Sequence, residues 1–377
     1  MTNRRGPRPS RRSVAERRAA AAENAVIGRH ARRLWAIPGT LLGVNSRPAT
    51  ARHRLFLGWN YWWQTHLLDC LVDAEIRDPR ADRRRRMTRL IRGIRLANGG
   101  RWINSYYDDM AWLALAIERA DRCLGGADHS RPVRTLTAEI LAAWSDAEGG
   151  GIPWRHGDVF KNAPANGPAA ILLARTGHLD RAAATADWID ARLRDPASGL
   201  IWDGLRPGDG GTTSYERTIY TYCQGVVLGA ECELARRIPA GHPNSADRVH
   251  RLVAAIRDEL TVDGVLTGHH GGDSGLFTGI LARYLALVAT ALPGNVPADD
   301  QARSAAGTLL TASAEAAWAH AGVDRGLPVF GHDWSRPAGS PRRRGAPERD
   351  LSVQLSGWML LEAACAVTAG RPGADIG

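Results

Sequence analysis

"SADRVHRLVAAIRDEL" (245–260) and "SGLFTGILARYLALVATAL" (274–292) flank a Gly- and His-rich turn, and the contrast between them decides the fold. In the first, Val249, Leu252, Val253, Ile256 and Leu260 recur at helical spacing, with Arg248, Arg251, Arg257 and Asp258 opposite. Such a stripe marks a helix with one wet face. The second is apolar nearly all round, and a helix of that kind must be surrounded by protein.

Outward from this pair, the same two kinds alternate along the chain. Leu179, Ala183, Ala186, Ile189 and Leu193 repeat the amphipathic stripe. "DDMAWLALAIERA" (108–120), "NGPAAILLAR" (166–175) and "LSVQLSGWMLLEAACAV" (351–367) repeat the dry pattern. Between Gly, Pro and Asn breaks, start and stop signals predict about twelve helices, near 13–35, 58–77, 83–97, 108–123, 131–146, 162–176, 179–194, 215–237, 245–261, 273–292, 299–320 and 350–369. Strand-type alternation is almost absent. Wet and dry helices in strict alternation predict an all-α (α/α)6 toroid, six hairpins with the dry members inside. No linker divides the series, so 13–377 is expected to be a single domain behind a basic, flexible tail at 1–12. The loop 336–349 is expected to be mobile.

The 377 residues are 44% hydrophobic and 23% charged, a globular composition. No stretch approaches the roughly 18 uninterrupted apolar residues of a membrane span. The N-terminus is basic without an apolar region, and Arg11–Arg12 lack the hydrophobic segment of an export signal. The chain is therefore expected to be made without a signal peptide and to stay in the cytoplasm. Five cysteines (Cys70, Cys123, Cys223, Cys232, Cys365) with no C-x-x-C pair indicate free thiols, not a disulfide framework or a zinc site. The net charge of +10 is carried almost wholly by arginine, with Lys161 the single lysine. The arginines gather before Trp35, in 80–95 and in 336–345. These read as solvated faces or loose anionic contacts, with no specific nucleic-acid recognition expected.

Rings of this kind carry function at the mouth, where loops lead into inner helices. The polar and aromatic residues out of keeping with dry helices lie there: "GWNYWWQTHLLD" (58–69), "GGRWINSYYDDM" (99–110), "GGGIPWRHGDVFKNAPANGP" (149–168), "GLIWDGLRPGDGG" (199–211), "YTYCQG" (220–225), "GHHGGDSGLFTG" (268–279) and "FGHDWSRPAG" (330–339). Tryptophan, with 13 residues against 7 Tyr and 4 Phe, dominates the aromatics. Trp59, Trp62, Trp63, Trp102, Trp154, Trp202 and Trp334 all fall in these segments, whereas Trp112 and Trp358 read as core. Indole faces among Asp, Asn and Gln suit a sugar, whose C–H faces stack while its hydroxyls hydrogen-bond. Lys161, alone among arginines, hints at an ammonium wanted at the mouth.

Asp108 and Asp109 stand side by side in "YYDDMAW". Asp108 could cap the helix with Asp109 beside it at the positive end of the dipole. One carboxylate is explained that way. A second, in a Tyr- and Trp-rich setting, has its pKa pushed up by burial and by its neighbour. A raised carboxylic acid beside an ionised carboxylate is the equipment of glycoside hydrolysis. Neighbouring side chains favour the separation of about 5–5.5 Å used for retention over the roughly 6.5–9.5 Å used for inversion. Terpene-cyclase chemistry would need a third acid a turn away, and none occurs before Glu118, so no metal is expected. No elbow motif supports a Ser-His-Asp or Cys-His arrangement.

These blocks resemble those of glycoside hydrolase family 76, the endo-α-1,6-mannanases. The resemblance covers about residues 55–365 and rests on "NYWWQTHLLD", "SYYDDMAWLALA", "GGGIPW", "KNAPANGPAAILLAR", "GLIWDGL", "YTYCQGVVLGA" and "GDSGLFTGILARYL", in that order. It implies an (α/α)6 fold, no metal or cofactor, and cleavage of α-1,6-linked mannan or mannooligosaccharides with retention. Asp108 would be the nucleophile and Asp109 the general acid/base. Trp62, Trp63, Gln64, Tyr107, Asn162, Trp202, Asp203, Tyr222, Gln224 and Asp273 would line the substrate groove. The chain departs from the family at Cys223, where asparagine is usual, and in lacking an evident signal. Transfer of the glycosyl group to another α-mannoside, or a binding relic without turnover, are the alternatives. The chain is expected to act as a monomer.

Overall fold

The computed structural model describes residues 11–125, 130–238 and 244–370. Residues 1–10 of the expected tail fall outside them, while Arg11 opens the first helix. The helices are α1 (Arg11–His30), a one-turn α2 (Ala51–Arg54), α3 (Tyr61–Arg77), α4 (Ala81–Ala97), α5 (Tyr107–Leu124) and α6 (Ser130–Ala142). They continue with α7 (Ala163–Arg175), α8 (Leu179–Leu193), α9 (Thr221–Arg237), α10 (Ser245–Glu259), α11 (Phe277–Ala291), α12 (Pro297–Ala319) and α13 (Leu351–Thr368).

Helices α3, α5, α7, α9, α11 and α13 pack one on the next, and α13 returns against α3. Behind them, in the same order, stand α4, α6, α8, α10, α12 and α1. This is the (α/α)6 toroid, and the burial follows the sequence pattern. Helix α11 is buried from Phe277 to Val288, whereas α10 buries Val249, Leu252, Val253 and Ile256 and leaves Arg251, Arg257 and Asp258 exposed. Arg248, read with the wet face, instead turns inward and pairs with Glu231 at 3.1 Å and Asp187 at 2.7 Å. The segments 272–291 and 351–368 are apolar and long enough to cross a bilayer, yet most of each is covered by neighbouring helices.

Close packing of the inner ring depends on glycine. A Cβ on Gly225 of α9 would stand 2.9 Å from the Cα of Leu281 in α11, and one on Gly279 would stand 2.6 Å from the Cα of Ser356 in α13. Two backbones meet at each place, so neither can give way as a side-chain tip could.

The end of the ring away from the mouth is ionic. Arg119 of α5 bridges Asp69 and Asp73 of α3, and Arg283 of α11 reaches Asp73 at 2.8 Å. Arg77 binds Glu362 at 3.0 Å, and Arg175 binds Glu233 at 2.9 Å. All these acids are buried or nearly so, and each has a guanidinium beside it.

Strands were underestimated from sequence. Short antiparallel pairs join β1 (Ala31–Arg32) to β2 (Leu42–Gly43), β6 (Thr261–Val262) to β7 (Val265–Leu266), and β8 (Gly322–Asp324) to β9 (Leu327–Val329). At the mouth, β3 (Lys161–Asn162), β4 (Trp202–Pro207) and β5 (Thr213–Ile219) form a sheet in that order. Residues 215–219, expected to begin a helix, are therefore strand, and α9 starts at Thr221. Residues 336–349, expected to be mobile, are tied back by Ala338 N–H to His320 C=O (2.8 Å) and Gly339 N–H to the Glu348 carboxylate (3.0 Å). Cys70, Cys223, Cys232 and Cys365 are buried free thiols, and Cys123 is half-buried.

Candidate active site

The inner helices begin at one end of the ring, and a cleft of about 1100 Å³ opens across it. Asn60 and Trp62 reach it from the start of α3, Asp108, Asp109 and Trp112 from α5, and Asn162 from the cap of α7. Asp203, Arg206 and Glu216 come from the β4–β5 hairpin, Tyr220 and Tyr222 from the cap and first turn of α9, Asp273 from the turn that leads into α11, and Phe277 from its first residue. Five inner helices thus converge on one groove.

Its floor is the start of α5. The N-cap is Tyr106, whose side chain makes no capping bond, so both aspartates lie within the first helical turn and neither caps it. The Asn104 carboxamide does the local work, its Oδ1 accepting from the Tyr106 N–H (2.9 Å) while its Nδ2 donates to Asp109 Oδ2 (2.6 Å). Asp108 accepts from the Trp154 indole N–H at 3.1 Å and from the Asp109 amide at 2.9 Å. Trp154 is held there by its own backbone, whose C=O accepts from Tyr107 N–H (2.9 Å).

These surroundings separate the two carboxyls. Burial pushes Asp108 up to about 7, against the pull of its hydrogen bonds from the Asp109 amide and Trp154. The positive end of α5 also favours its charged form. Asp109 is pushed well above the ordinary carboxylate range, first by burial and then by the charge of Asp108. A third acid, Asp203, is raised to about 7 by burial, with Glu216 and Asp108 adding to it. The Cys223 thiol lies 3.9 Å from Asp203 Oδ1, and a thiol is a weak donor. Among the described residues, no arginine pairs with any of the three. The site thus sets an acid pushed toward its protonated form beside a carboxyl whose anion has two hydrogen-bond donors.

Aromatic rings wall the groove. Tyr222 and Phe277 stack with centroids 3.8 Å apart, and Trp62 lies tilted against Phe277 at 6.3 Å. Asp273 Oδ1 accepts from the indoles of Trp62 (3.0 Å) and Trp63 (2.8 Å) and from Asn60 Nδ2 (3.1 Å), which sets the wall's orientation. Among the described residues, no three His, Cys, Asp or Glu side chains converge to hold a metal ion.

Of the expected groove residues, the structure brings Trp62, Asn162, Asp203, Tyr222 and Asp273 to the cleft with Asp108 and Asp109. Five others are corrected. Gln64 is fully buried and spends its carboxamide on the N–H and C=O of Gly43. Gln224, equally buried, does the same for Ile201. Trp63 is buried and acts on the groove through Asp273 alone. Tyr107 points away to meet His156 edge-on, and Trp202 packs on Tyr215 and under Arg217. Lys161 is no groove ammonium either: it is buried, held down to about 8 by that burial, and donates to the carbonyls of Ser145, Ala147 and Gly150. Trp334, placed at the mouth, is core; Trp112 and Trp358 are core as expected, and Trp112 also lines the cleft floor. Of the direct partners of the two aspartates, Asn104 was not singled out, and Trp154 was named only among the mouth tryptophans. Their signal was a polar and an aromatic side chain in the blocks flanking the start of α5.

A model of glycosyl hydrolase family 76 matches residues 18–364. Among solved structures, the α-1,6-mannanase GH76A from Salegentibacter sp. HEL1_6 is 30% identical, over 94% of this chain and 99% of that one, with a TM-score of 0.80. An inactive variant of that enzyme with two aspartates replaced by asparagine was solved with α-1,6-mannotriose. The Lin0763 protein from Listeria innocua is 26% identical, over 95% of this chain and 99% of that one, with a TM-score of 0.81. No curated protein matches.

Proposed function

The chain belongs to glycosyl hydrolase family 76, and from that premise we propose that it hydrolyses α-1,6-linked mannan or mannooligosaccharides with retention of anomeric configuration. The observation that carries this reading is the difference between the two carboxyls at the start of α5. Asp108 has two donors that stabilise its anion, and Asp109 keeps its proton.

With a mannoside in the cleft, Asp109 gives its proton to the glycosidic oxygen as Asp108 Oδ attacks the anomeric carbon. The C–O bond to the leaving sugar breaks, and a glycosyl ester forms on Asp108. Asp109, now a carboxylate, takes a proton from water, whose oxygen attacks the same carbon from the face that the leaving sugar vacated. The ester bond breaks, Asp108 is released as an anion and Asp109 is protonated again. Asn104 holds Asp109 at the required place throughout. The aromatic wall supports sugar binding, because Trp62, Tyr222 and Phe277 offer faces to C–H groups while Asp203 and Asn162 can bond hydroxyls.

The test is proton NMR of α-1,6-mannotetraose under digestion. The α-anomer of the new reducing end should appear first and mutarotate later. A β-anomer appearing first would contradict retention, and longer oligomers accumulating before shorter ones would reveal transfer instead of hydrolysis.

A further inference from the structure

Two of the three arginine concentrations in the sequence meet in one place outside the cleft. A cavity of about 780 Å³ lies where the end of α1 meets the segment 44–54 and the β8–β9 turn. Arg29 lines it from α1, Arg32 and Arg33 from β1 and the residue after it, and Arg47 and Arg54 from the segment that follows. Arg325 and Arg342 close it from the far side, and the single acid in its wall is Asp324. Arg29 and Arg342 share that acid, at 3.7 and 3.3 Å. Among the described residues, Arg32 donates to the carbonyls of Ala31 and Gly28 and to no carboxylate. Among the described residues, no acceptor faces the guanidiniums of Arg33, Arg47, Arg54 or Arg325.

The fully buried arginines of the chain are treated differently. Arg83, Arg119, Arg175 and Arg283 each meet a carboxylate. Inside the cavity, burial and then the charge of Arg47 hold the Arg32 guanidinium below its ordinary range, a sign of cations crowding one another. Seven arginines around a concavity whose described lining holds one carboxylate leave a net positive charge that suits an anion. The fork of each guanidinium matches phosphate oxygens, and four forks together offer more donors than the two oxygens of one carboxylate can accept.

We propose that this basic cavity binds a phosphoryl group, whose oxygens Arg33, Arg47, Arg54 and Arg325 receive. The cavity also adjoins the groove. Val44 lines the cavity, its neighbour Asn45 donates to Asn60 Oδ1 (2.7 Å), and Asn60 lines the cleft. The phosphoryl group is thus either free phosphate or one carried by a glycan that lies in the cleft. The second source rests on the mannan reading; the binding itself does not.

The experiment is calorimetric titration of the full chain with inorganic phosphate at constant ionic strength. Wild type and Asp108→Asn should bind alike, and the double variant Arg47→Glu/Arg325→Glu at least about tenfold more weakly, the contribution of one charged hydrogen bond. Arg33→Gln and Arg54→Gln, both at exposed positions, give the same reading in case charge reversal disturbs folding. A KM raised in the variants for phosphorylated mannan but not for neutral mannan marks the phosphate as substrate-borne. Equal KM values, with phosphate affinity still lost, mark it as free. No phosphate binding to wild type, or the same affinity in wild type and all variants, overturns the proposal. Failure of all mannan hydrolysis would sink the reaction proposed above and leave this titration standing.

Discussion

The two ends of the ring bury carboxylates in opposite ways. At the far end, burial alone would raise Asp69, yet Arg283 and Arg119 bring it down to about 2. At the mouth, burial raises Asp108 to about 7 and pushes Asp109 well above the ordinary carboxylate range, and among the described residues no cation pairs with either. At the far end the fold supplies arginine to the acids it has only to accommodate, and it withholds arginine at the start of α5. A buried acid without its cation is costly to keep ionised, so it marks where stability has been given up for chemistry.

The comparison breaks first at the mouth. Asp108→Asn and Asp109→Asn should each lower kcat on natural mannan by about 10⁴-fold, and steady-state kinetics would show it. Neither should unfold the chain. The folded pKa of Asp108, about 7, lies above the unfolded value of about 3.9. Between those pH values the folded chain keeps a proton that the unfolded chain has lost. The stability this contributes is complete below about pH 4 and is lost as pH rises through 7. Asp108→Asn should therefore gain on wild type as pH rises across that window, by thermal unfolding at matched pH values. The same ionisation sets the acid limb of kcat/KM, so activity should fall below about pH 7. An acid limb nearer pH 4 would show that Asp108 is not raised.

At the far end the expected effect is reversed. Arg119→Met leaves Asp69 and Asp73 without their bridge and should cost about 3–5 kcal/mol of stability by denaturant titration. Turnover per folded molecule should stay near wild type. A variant as stable as wild type but catalytically dead would erase the distinction between the ends.

The smallest of these effects lies between the ends. Gly225→Ala pushes a methyl group onto the α11 backbone and should cost about 1–3 kcal/mol without changing the pH profile.

How far these regions were legible from sequence differs in kind. The ring was legible because burial imposes a 3.6-residue period, and "SGLFTGILARYLALVATAL" beside "SADRVHRLVAAIRDEL" carries that imprint directly. The β4–β5 hairpin was not, because Thr213–Ile219 has no fully buried residue and so no alternation to read. At the site, the aspartate pair stood out as a like-charged neighbour pair in a dry setting. Gln64 and Gln224 misled because a glutamine that satisfies a buried backbone amide looks, in sequence, like one that meets a substrate. Trp202 and Tyr107 misled for a related reason: proximity to a helix start fixes which end of the ring a residue occupies, but not which way its ring turns. Asn104 matters through its contacts with Asp109 and the Tyr106 amide, and those contacts are a matter of rotamer.

The central claim, that Asp108 and Asp109 divide nucleophile from acid, is tested most directly by covalent trapping. Asp109→Asn should be incubated with an α-1,6-mannobioside bearing a dinitrophenyl leaving group, which needs little protonation, and the adduct located by peptide mass spectrometry. The account predicts a glycosyl ester on Asp108 that accumulates because its hydrolysis lacks a base. An adduct on any other residue, or a variant that turns over the activated substrate with inversion and no adduct, would contradict it.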